Sequence, residues 1–458
     1  MKRKADFMMR TVGDEKLLVP LGAKVMDLNG IITLNDVAAW VWELLAEERS
    51  LDELTAAVAE RFDVATGIAR DDVRTFVDEI TRLGPSGTAT TASAALPTDY
   101  VPLVGELHRR AAASRQPVNG TFELTERCNM ACRMCYVCQA PGDAATRSKE
   151  LSAAAWLEIA RQAVDNGMVF LLLTGGEAFL RPDFFELYTP LTRLGLIVTL
   201  FTNGTLITEA LAARLAEAPP ARTEITLYGA TAAAYEAVTG VPGSYARCCA
   251  GIEALVKHCV PLALKTTVTQ QNVGELDAMR QMAHNWGLPF SAGWLLSKRR
   301  DGALSEVADC RLSASECVDL EATYRASASE WTEAALRESS LSHDRSFYCQ
   351  AGQAAFVITP AGEMGACVDL PWPAARPLEI GFQAAWEQVR RFVDSAPPPA
   401  PLCLACDARA YCPCCPAWSQ LEAGALAEPV PYLCKIAHAR KERYAPTCMP
   451  SLPASPTP

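Results

Sequence analysis

The sequence predicts an α/β protein in which a parallel sheet, rolled into a full or partial barrel, lies between a small N-terminal α+β unit and a cysteine-rich C-terminal part. Three observations predict this arrangement. Strand-like and helix-like segments alternate over residues 118–300, which is the pattern of repeated βα units. In residues 1–83, short segments with alternating apolar and polar residues, which indicate strands, are followed by amphipathic stretches, which indicate helices. Cysteine, glycine and proline become frequent in residues 301–448.

Size and composition are those of a globular protein with several domains. The chain has 458 residues, of which 50% are hydrophobic and 21% charged, and this length predicts two or three domains. The net charge of −11 argues against a nucleic-acid partner. No apolar run approaches the roughly 18–20 residues that a membrane-spanning helix needs, and no secretory signal is recognisable. We therefore expect a cytoplasmic protein with no membrane partner.

Residues 1–83 are predicted to form strands followed by helices. The segment KLLVPLGAKVMDLNGIITL (16–34) alternates in short pieces interrupted by glycine and Asn-Gly, which favours strands and a hairpin. Asn35 can cap a first helix, and Ser50 with Glu53 forms a capping box for a second. A third amphipathic stretch completes a unit of winged-helix-like α+β character.

The middle of the chain consists of a linker and six strand candidates. Residues 84–117 are assigned as a linker, because their first part, GPSGTATTASAALPTD, is small, polar and contains proline. The strands are predicted at 121–125, 168–174, 196–202, 223–228, 262–269 and 288–296. Functional groups of such βα folds collect at the carboxyl ends of the strands. The first group of cysteines follows the first strand and is therefore expected at this edge.

Cysteine is the unusual residue of this chain, which contains 18 of them. Without a secretory signal, these thiols are interpreted as metal ligands or free thiols rather than as disulfides. Four cysteines fall within the stretch RCNMACRMCYVC: Cys128, Cys132, Cys135 and Cys138. Structural zinc and most 4Fe–4S clusters take four protein ligands. The first three cysteines alone would leave one iron of a cluster open, whereas Cys138 as a fourth ligand would make a closed zinc or electron-transfer site.

The C-x3-C-x2-C arrangement resembles the signature of radical S-adenosylmethionine (SAM) enzymes, with Met134 where the family has an aromatic residue. Two companions follow in the family's order. Gly-Gly-Glu at 175–177 comes after the second strand, and Thr-Asn-Gly at 202–204 comes after the third. The resemblance implies a partial (β/α)6 barrel, with SAM and a [4Fe–4S] cluster as cofactors.

The same resemblance assigns roles to individual residues. Cys128, Cys132 and Cys135 would hold the cluster, whose open iron chelates the amino and carboxylate groups of SAM. Gly175, Gly176, Glu177 and Asn203 would bind SAM, with Glu177 receiving its ammonium group. One electron then cleaves SAM to methionine and a 5′-deoxyadenosyl radical, which removes a hydrogen atom from an unactivated C–H bond. No acid–base pair of the protein is required, and an electron donor of flavodoxin or ferredoxin type is implied.

The C-terminal cysteines resemble the seven-cysteine SPASM extension of radical SAM enzymes. This resemblance implies two auxiliary [4Fe–4S] clusters, and zinc knuckles are the alternative. The first cluster would use Cys349, Cys367 and Cys415, and the second would use Cys403, Cys406, Cys412 and Cys434. The spacing before Cys415 is one residue shorter than in the family, and Cys414 is additional. The fourth ligand of the first cluster is left open between Cys310, Cys317, Cys414 and no protein ligand. Residues 449–458 are expected to be a disordered tail.

The N-terminal unit resembles the PqqD-like peptide-binding domain, chiefly over VPLGAKVMDLNGIITLNDVAAWVWELL (19–45). Such domains bind a leader peptide as an added strand. The combined resemblance implies a maturase of a ribosomally made precursor peptide, most often forming a thioether cross-link from sulfur to carbon. Carbon–carbon or carbon–oxygen cross-linking is an alternative, as is a maturase of a folded enzyme or of a small molecule such as a tetrapyrrole. A capping or dimerisation domain is the alternative for the N-terminal unit.

Overall fold

The computed structural model describes residues 1–2, 7–20, 32–82, 100–137, 139–300, 305–324 and 346–445. Four predicted features lie outside the described residues: the Asn-Gly turn at 29–30, residues 84–99 of the linker, Cys138 and the tail 449–458. In the part of the chain that is described, no helix is long and apolar enough to cross a membrane.

The N-terminal unit consists of a three-stranded antiparallel sheet and three helices. Its strands, in sheet order, are β1 (Phe7–Val12), β2 (Glu15–Pro20) and β3 (Ile32–Leu34), and its helices are α1 (Asp36–Leu44), α2 (Leu51–Phe62) and α3 (Thr66–Arg82). The predicted caps are confirmed. The Asn35 side chain accepts from Ala38 N at 2.8 Å, and Ser50 and Glu53 form both bonds of a capping box. Trp42, Leu54, Val58 and Val73 are fully buried between the three helices and the sheet.

A nine-stranded sheet forms the centre of the molecule. Its strands are β4 (Asn119–Glu123), β5 (Phe170–Thr174), β6 (Ile197–Thr202), β7 (Arg222–Thr226), β8 (Leu262–Thr267), β9 (Phe290–Gly293), β10 (Ala355–Ile358), β11 (Met364–Cys367) and β12 (Leu370–Ala375). The sheet order is β12-β11-β10-β4-β5-β6-β7-β8-β9. The strands from β4 to β9 are parallel and coincide with the six predicted strands, so the predicted parallel sheet is confirmed.

The remaining helices connect these strands or follow them. They are α4 (Tyr100–Ser114), α5 (Ala144–Arg147), α6 (Ala153–Asp165), α7 (Phe184–Leu191), α8 (Glu209–Glu217), α9 (Ala232–Thr239), α10 (Ser244–Lys257), α11 (Leu276–Asn285), α12 (Ser305–Ala308), α13 (Ala314–Tyr324), α14 (Pro377–Ile380), α15 (Phe382–Asp394), α16 (Pro401–Leu404), α17 (Pro416–Ala423) and α18 (Pro431–Tyr444). Alternate residues of the central strands, such as Phe122 and Leu173, are buried against helix residues such as Trp156 and Tyr188. This packing leaves the other face of each strand for the interior of the partial barrel.

One helix and three strands join the central unit from outside the limits drawn from the sequence. Helix α4 lies within the segment 84–117 that was assigned as a linker, and its Leu107 and Ala111 are buried. Strand β10 pairs in parallel with β4, and β11 and β12 add to it as an antiparallel hairpin. The sheet therefore continues from the central unit into the C-terminal part. Long-range strand pairing of this kind leaves no local signal in a sequence.

The N-terminal unit docks at the amino ends of the barrel strands. Val12, Leu17 and Val19 of its hairpin form a buried cluster with Val118 and Val169, which precede β4 and β5. The Arg10 side chain also donates to the carbonyl oxygens of residues 194 and 195, just before β6. The unit and the predicted cysteine site consequently lie at opposite ends of the parallel strands.

A buried ion pair holds the last long helix to the barrel. Arg440 on α18 donates to Glu321 on α13 at 2.9 Å, and their side chains are 6% and 1% exposed. Arg440→Met would leave a buried carboxylate unpaired, so we expect it to lower the free energy of unfolding by about 3–5 kcal/mol. Urea titration of tryptophan fluorescence would measure the loss. Arg443→Ala is the matched control, because its pair with Asp319 on the same two helices is exposed and worth at most about 1 kcal/mol.

Candidate active site

The first cysteine loop is fixed at the carboxyl edge of the sheet by backbone hydrogen bonds. The chain leaves β4 at Glu123, and Leu124 N donates to Thr174 O at the end of β5 at 2.9 Å. Cys128 N donates to Gln139 O at 2.9 Å, which closes the loop on itself. The loop therefore has a defined position at the edge where functional groups of such barrels collect.

Cys128, Cys132 and Cys135 lie together in a mostly apolar pocket. Cys128 and Cys132 are each 8% exposed, and they pack with Met130, Met134, Val238 and Leu296, with Cys135 at the side. Burial raises the pKa of the Cys128 thiol to about 12 and also raises that of Cys132, and the neighbouring sulfurs add to both effects. Such thiols lose their protons to solvent when a metal cation binds the sulfur, and thiolate is the usual ligand of iron–sulfur clusters. The three donors fit such a cluster.

Steric contacts that the sequence alone did not reveal require glycine at both positions after β5. A Cβ on Gly175 would lie 2.3 Å from Thr125 O, and Gly175 has a φ of +130°. A Cβ on Gly176 would lie 2.2 Å from Arg127 O. Two backbone N–H groups of this turn donate to the same segment: Gly176 N to Thr125 O and Glu177 N to Arg127 O. Both glycines allow this turn to clamp the residues that lead into Cys128.

Glu177 joins this turn to the end of β6. Its carboxylate, which is fully buried, accepts from Phe179 N at 3.2 Å, Thr202 Oγ1 at 2.9 Å and Asn203 N at 2.8 Å. Burial raises the pKa of Glu177, and the three donors oppose that rise. A carboxylate has about four acceptor positions. Three of these positions are used here, so Glu177 ties the turn after β5 to the end of β6, and its contact with the ammonium group of SAM stays a prediction.

Asn203 connects the third motif to the cysteine loop. Its Nδ2 donates to Asn129 Oδ1 at 2.7 Å and lies 3.8 Å from the Cys128 sulfur. Asn129 in turn donates to Thr205 Oγ1 at 2.8 Å. The structure thus brings together all seven residues that the sequence analysis assigned to SAM and its cluster: Cys128, Cys132, Cys135, Gly175, Gly176, Glu177 and Asn203. Their individual roles in cofactor binding remain predictions.

Four C-terminal cysteines form a group close to the surface. Cys412 interacts electrostatically with Cys403, Cys406 and Cys434, and all four thiols are partly exposed. Burial and the neighbouring sulfurs, among which Cys414 contributes most, together raise the pKa of Cys412 to about 12. This is the set that the resemblance assigned to one auxiliary cluster.

A second group lies nearer the barrel. Cys367 at the end of β11 interacts with Cys349 and Cys415, the residue that precedes α17. Burial raises the pKa of Cys367 to about 12, and Asp369 and the other two sulfurs add to the rise. The Asp369 carboxylate is held by Trp418 Nε1 at 3.0 Å and by Ser297 Oγ at 3.4 Å.

The three cysteines considered as a fourth ligand for this second group lie elsewhere or beside the other group. Cys310 is buried in the apolar pocket of Cys128 and Cys132. Cys317 lies 3.7 Å from the hydroxyl of Tyr432, and Cys414 interacts with Cys412. Among the described residues, these particular contacts are with partners other than Cys349, Cys367 and Cys415, and the fourth ligand stays a prediction.

Two charged residues between the cysteine groups were not singled out from the sequence. Arg300 donates to both carboxylate oxygens of Glu123, at 2.8 and 2.9 Å, and these side chains are 15% and 1% exposed. Tyr136, next to Cys135, donates to the same carboxylate at 3.0 Å. Glu123 is the one charged residue of the predicted strand TFELT, and this was the available signal for it.

Comparison with known families identifies the two folded units. Residues 122–282 match the Radical SAM superfamily, and this match includes the cysteine loop and the Gly-Gly-Glu and Thr-Asn-Gly turns. The chain is a radical SAM enzyme. Residues 22–84 match the family of coenzyme PQQ synthesis protein D, PqqD. Membership of the superfamily implies SAM and an iron–sulfur cluster as the cofactors of this radical SAM enzyme.

Two curated relatives differ in how much of the enzyme they cover. The AdoMet-dependent heme synthase of Methanosarcina barkeri is 26% identical over 332 residues, which is 68% of this chain and 94% of the relative. The PqqA peptide cyclase of Rhizobium meliloti is 31% identical over 186 residues, which is 41% of this chain and 49% of the relative. This radical SAM enzyme therefore spans about half the length of the peptide cyclase.

Among solved structures, SuiB of Streptococcus suis bound to its precursor peptide SuiA is similar to this radical SAM enzyme with a TM-score of 0.56. The identity is 16%, and the similarity covers 90% of this chain and 94% of SuiB. At this identity the similarity shows a shared fold.

Proposed function

We propose that this radical SAM enzyme modifies a ribosomally made precursor peptide. The observation that carries the proposal is the PqqD match at residues 22–84, in the same chain as the radical SAM domain. The PqqA peptide cyclase, the subtilosin biosynthesis protein AlbA of Bacillus subtilis and a mycofactocin maturase are among the relatives of this chain, and their names support the same substrate class.

The leader of the precursor would bind as a fourth strand on the N-terminal sheet. Strand β1 faces the barrel through Arg10 and Met8, which contact residues 194 and 195. Strand β3 is the opposite edge among the described strands. Backbone hydrogen bonds to this edge would supply affinity, and the segment to be modified would reach the carboxyl end of the barrel.

Within this proposal, Cys128, Cys132 and Cys135 hold the cluster that binds SAM, and Gly175, Gly176, Glu177 and Asn203 hold SAM itself. The group of Cys349, Cys367 and Cys415 and the group of Cys403, Cys406, Cys412 and Cys434 each hold an auxiliary [4Fe–4S] cluster. A flavodoxin- or ferredoxin-type protein supplies the electron.

The reaction we favour is formation of a thioether between a peptide cysteine and a carbon atom. Cys349, Cys367 and Cys415 are the three residues that we assign to the nearer cluster, and we infer that a peptide thiolate binds its remaining iron. Ligation would lower the pKa of that thiol and hold its sulfur close to the carbon radical.

A tetrapyrrole substrate is the second candidate function. The heme synthase of M. barkeri aligns with 94% of its own length, which is a longer match than that of the peptide cyclase. The PqqD domain favours the peptide, because a tetrapyrrole offers no backbone with which to extend a sheet.

Binding of a candidate precursor peptide, chosen from short cysteine-containing reading frames beside the gene, distinguishes the candidates. We expect the fluorescently labelled peptide, and its leader half alone, to raise anisotropy on addition of the intact enzyme, whereas its core half binds at least tenfold more weakly. An iron tetrapyrrole should not compete. Equal binding of the two halves would contradict leader recognition. Peptide truncation is preferable to deletion of residues 1–83, since that deletion would expose the buried Val118 and Val169.

A further inference from the structure

The turn after Cys367 contains a peptide unit with both of its polar groups engaged. Strand β11 ends at Cys367 and β12 begins at Leu370, so Val368 and Asp369 form a two-residue turn. The carbonyl oxygen of Val368 accepts from Arg300 Nε at 2.6 Å. The N–H of the same peptide unit belongs to Asp369, and it lowers the pKa of the Cys367 thiol, as a backbone donor facing that sulfur does. Arg300 therefore binds one end of the dipole whose other end contacts a predicted cluster ligand.

The guanidinium of Arg300 is held in place from its other side. Its Nη2 donates to both oxygens of Glu123 at the end of β4. It also lies over the Tyr136 ring, 4.9 Å from the centroid, and the Tyr136 hydroxyl donates to Glu123. A guanidinium group that is held by Glu123 and Tyr136 keeps its Nε directed at the Val368 carbonyl.

Hydrogen bonds to the sulfurs of an iron–sulfur cluster contribute to its reduction potential, because they stabilise the reduced, more negative state. A cationic donor on the carbonyl of a peptide polarises that peptide and makes its N–H a stronger donor. We propose that Arg300 is a positioning residue for the cluster of Cys349, Cys367 and Cys415, which raises the reduction potential of that cluster through the Val368–Asp369 peptide, and that Glu123 anchors Arg300. The inference rests on one part of the proposed function, namely that Cys349, Cys367 and Cys415 hold a cluster.

A raised potential suits the proposed thioether reaction. The carbon loses its hydrogen atom to the 5′-deoxyadenosyl radical, and the thiol loses its proton to solvent. Formation of the sulfur–carbon bond from the thiolate and the carbon radical would leave one electron, and an oxidised cluster held by Cys349, Cys367 and Cys415 would accept it. A cluster that accepts this electron readily completes the reaction.

The test is a redox titration of the auxiliary clusters, followed by EPR, in a background with Cys128, Cys132 and Cys135 replaced by alanine. Arg300→Met is expected to shift one of the two remaining potentials downward by at least a tenfold change in the reduction equilibrium, which is 59 mV for one electron. Arg300→Lys keeps the charge but lacks the fork, so it should shift the same potential downward by a smaller amount. Glu123→Gln should act in the same direction.

Arg311→Met is the matched control. Arg311 is largely buried, as Arg300 is, donates to the Leu296 carbonyl at 3.0 Å and pairs with Glu422. Its substitution should leave both potentials unchanged. Unchanged potentials in Arg300→Met would overturn the inference, and so would a wild-type potential in Arg300→Lys. If Arg300→Met lost its iron, the same titration of Arg300→Lys and Glu123→Gln would test the inference, with a downward shift expected in both. A background protein without iron at Cys349, Cys367 and Cys415 would overturn the cluster assignment itself, independently of peptide binding.

Discussion

Replacing Cys128, Cys132 and Cys135 together by alanine is expected to abolish SAM cleavage and to lower the iron content from about twelve to about eight atoms per chain. The three sulfurs form one group in the loop after β4, and the C-terminal cysteines form two other groups. Loss of one cluster should therefore leave the other two in place. Iron analysis and a 5′-deoxyadenosine assay of the reconstituted protein measure both effects.

Cys259→Ala serves as the control for this experiment, because Cys259 is exposed and lies beyond α10, away from the three groups. It should retain the full iron content and full cleavage. SAM cleavage that survives the triple substitution would contradict the assignment of the loop.

Gly176→Ala is expected to have a comparable effect with a single methyl group. The added Cβ would lie 2.2 Å from the Arg127 carbonyl oxygen, which is backbone and cannot give way without moving the segment that leads into Cys128. We expect the first cluster to be lost or to bind poorly, with SAM cleavage reduced at least a hundredfold and about eight irons retained. The measurements are the same iron analysis and cleavage assay.

The matched control is Gly274→Ala. Nothing lies within 4 Å of a Cβ at Gly274, and this glycine follows β8 at some distance from the cysteine loop. It should behave as wild type. Normal iron content and cleavage in Gly176→Ala would show that the turn after β5 does not hold the cysteine loop.

Much of the fold could be predicted because its signals are local. The capping pair of Ser50 and Glu53 and the six parallel strands follow from caps and periodicity within a few residues. Pairing of β10 with β4 joins residues more than 200 positions apart, and helix α4 follows a stretch of turn-forming composition. Neither of these features has a nearby signal.

The candidate site divides in the same way. The cysteine spacing and the Gly-Gly-Glu and Thr-Asn-Gly turns are short motifs, and a resemblance to a family could be recognised from them. The pair of Glu123 and Arg300 is assembled from residues 177 positions apart, and each residue alone is an ordinary charge. The reason for Gly176 was also hidden, because the clash that a side chain would cause is with Arg127, which comes from another loop.

Mass spectrometry of a candidate precursor peptide that binds the enzyme through its leader half, co-expressed with the enzyme, tests the central claim most directly. The account predicts that the peptide loses two hydrogen atoms for each thioether, that alkylation of the modified cysteine is blocked, and that neither change occurs with the Cys128, Cys132 and Cys135 triple variant. An unmodified peptide, recovered with an enzyme that carries its full iron content and cleaves SAM, would contradict the proposal that this protein is a peptide maturase.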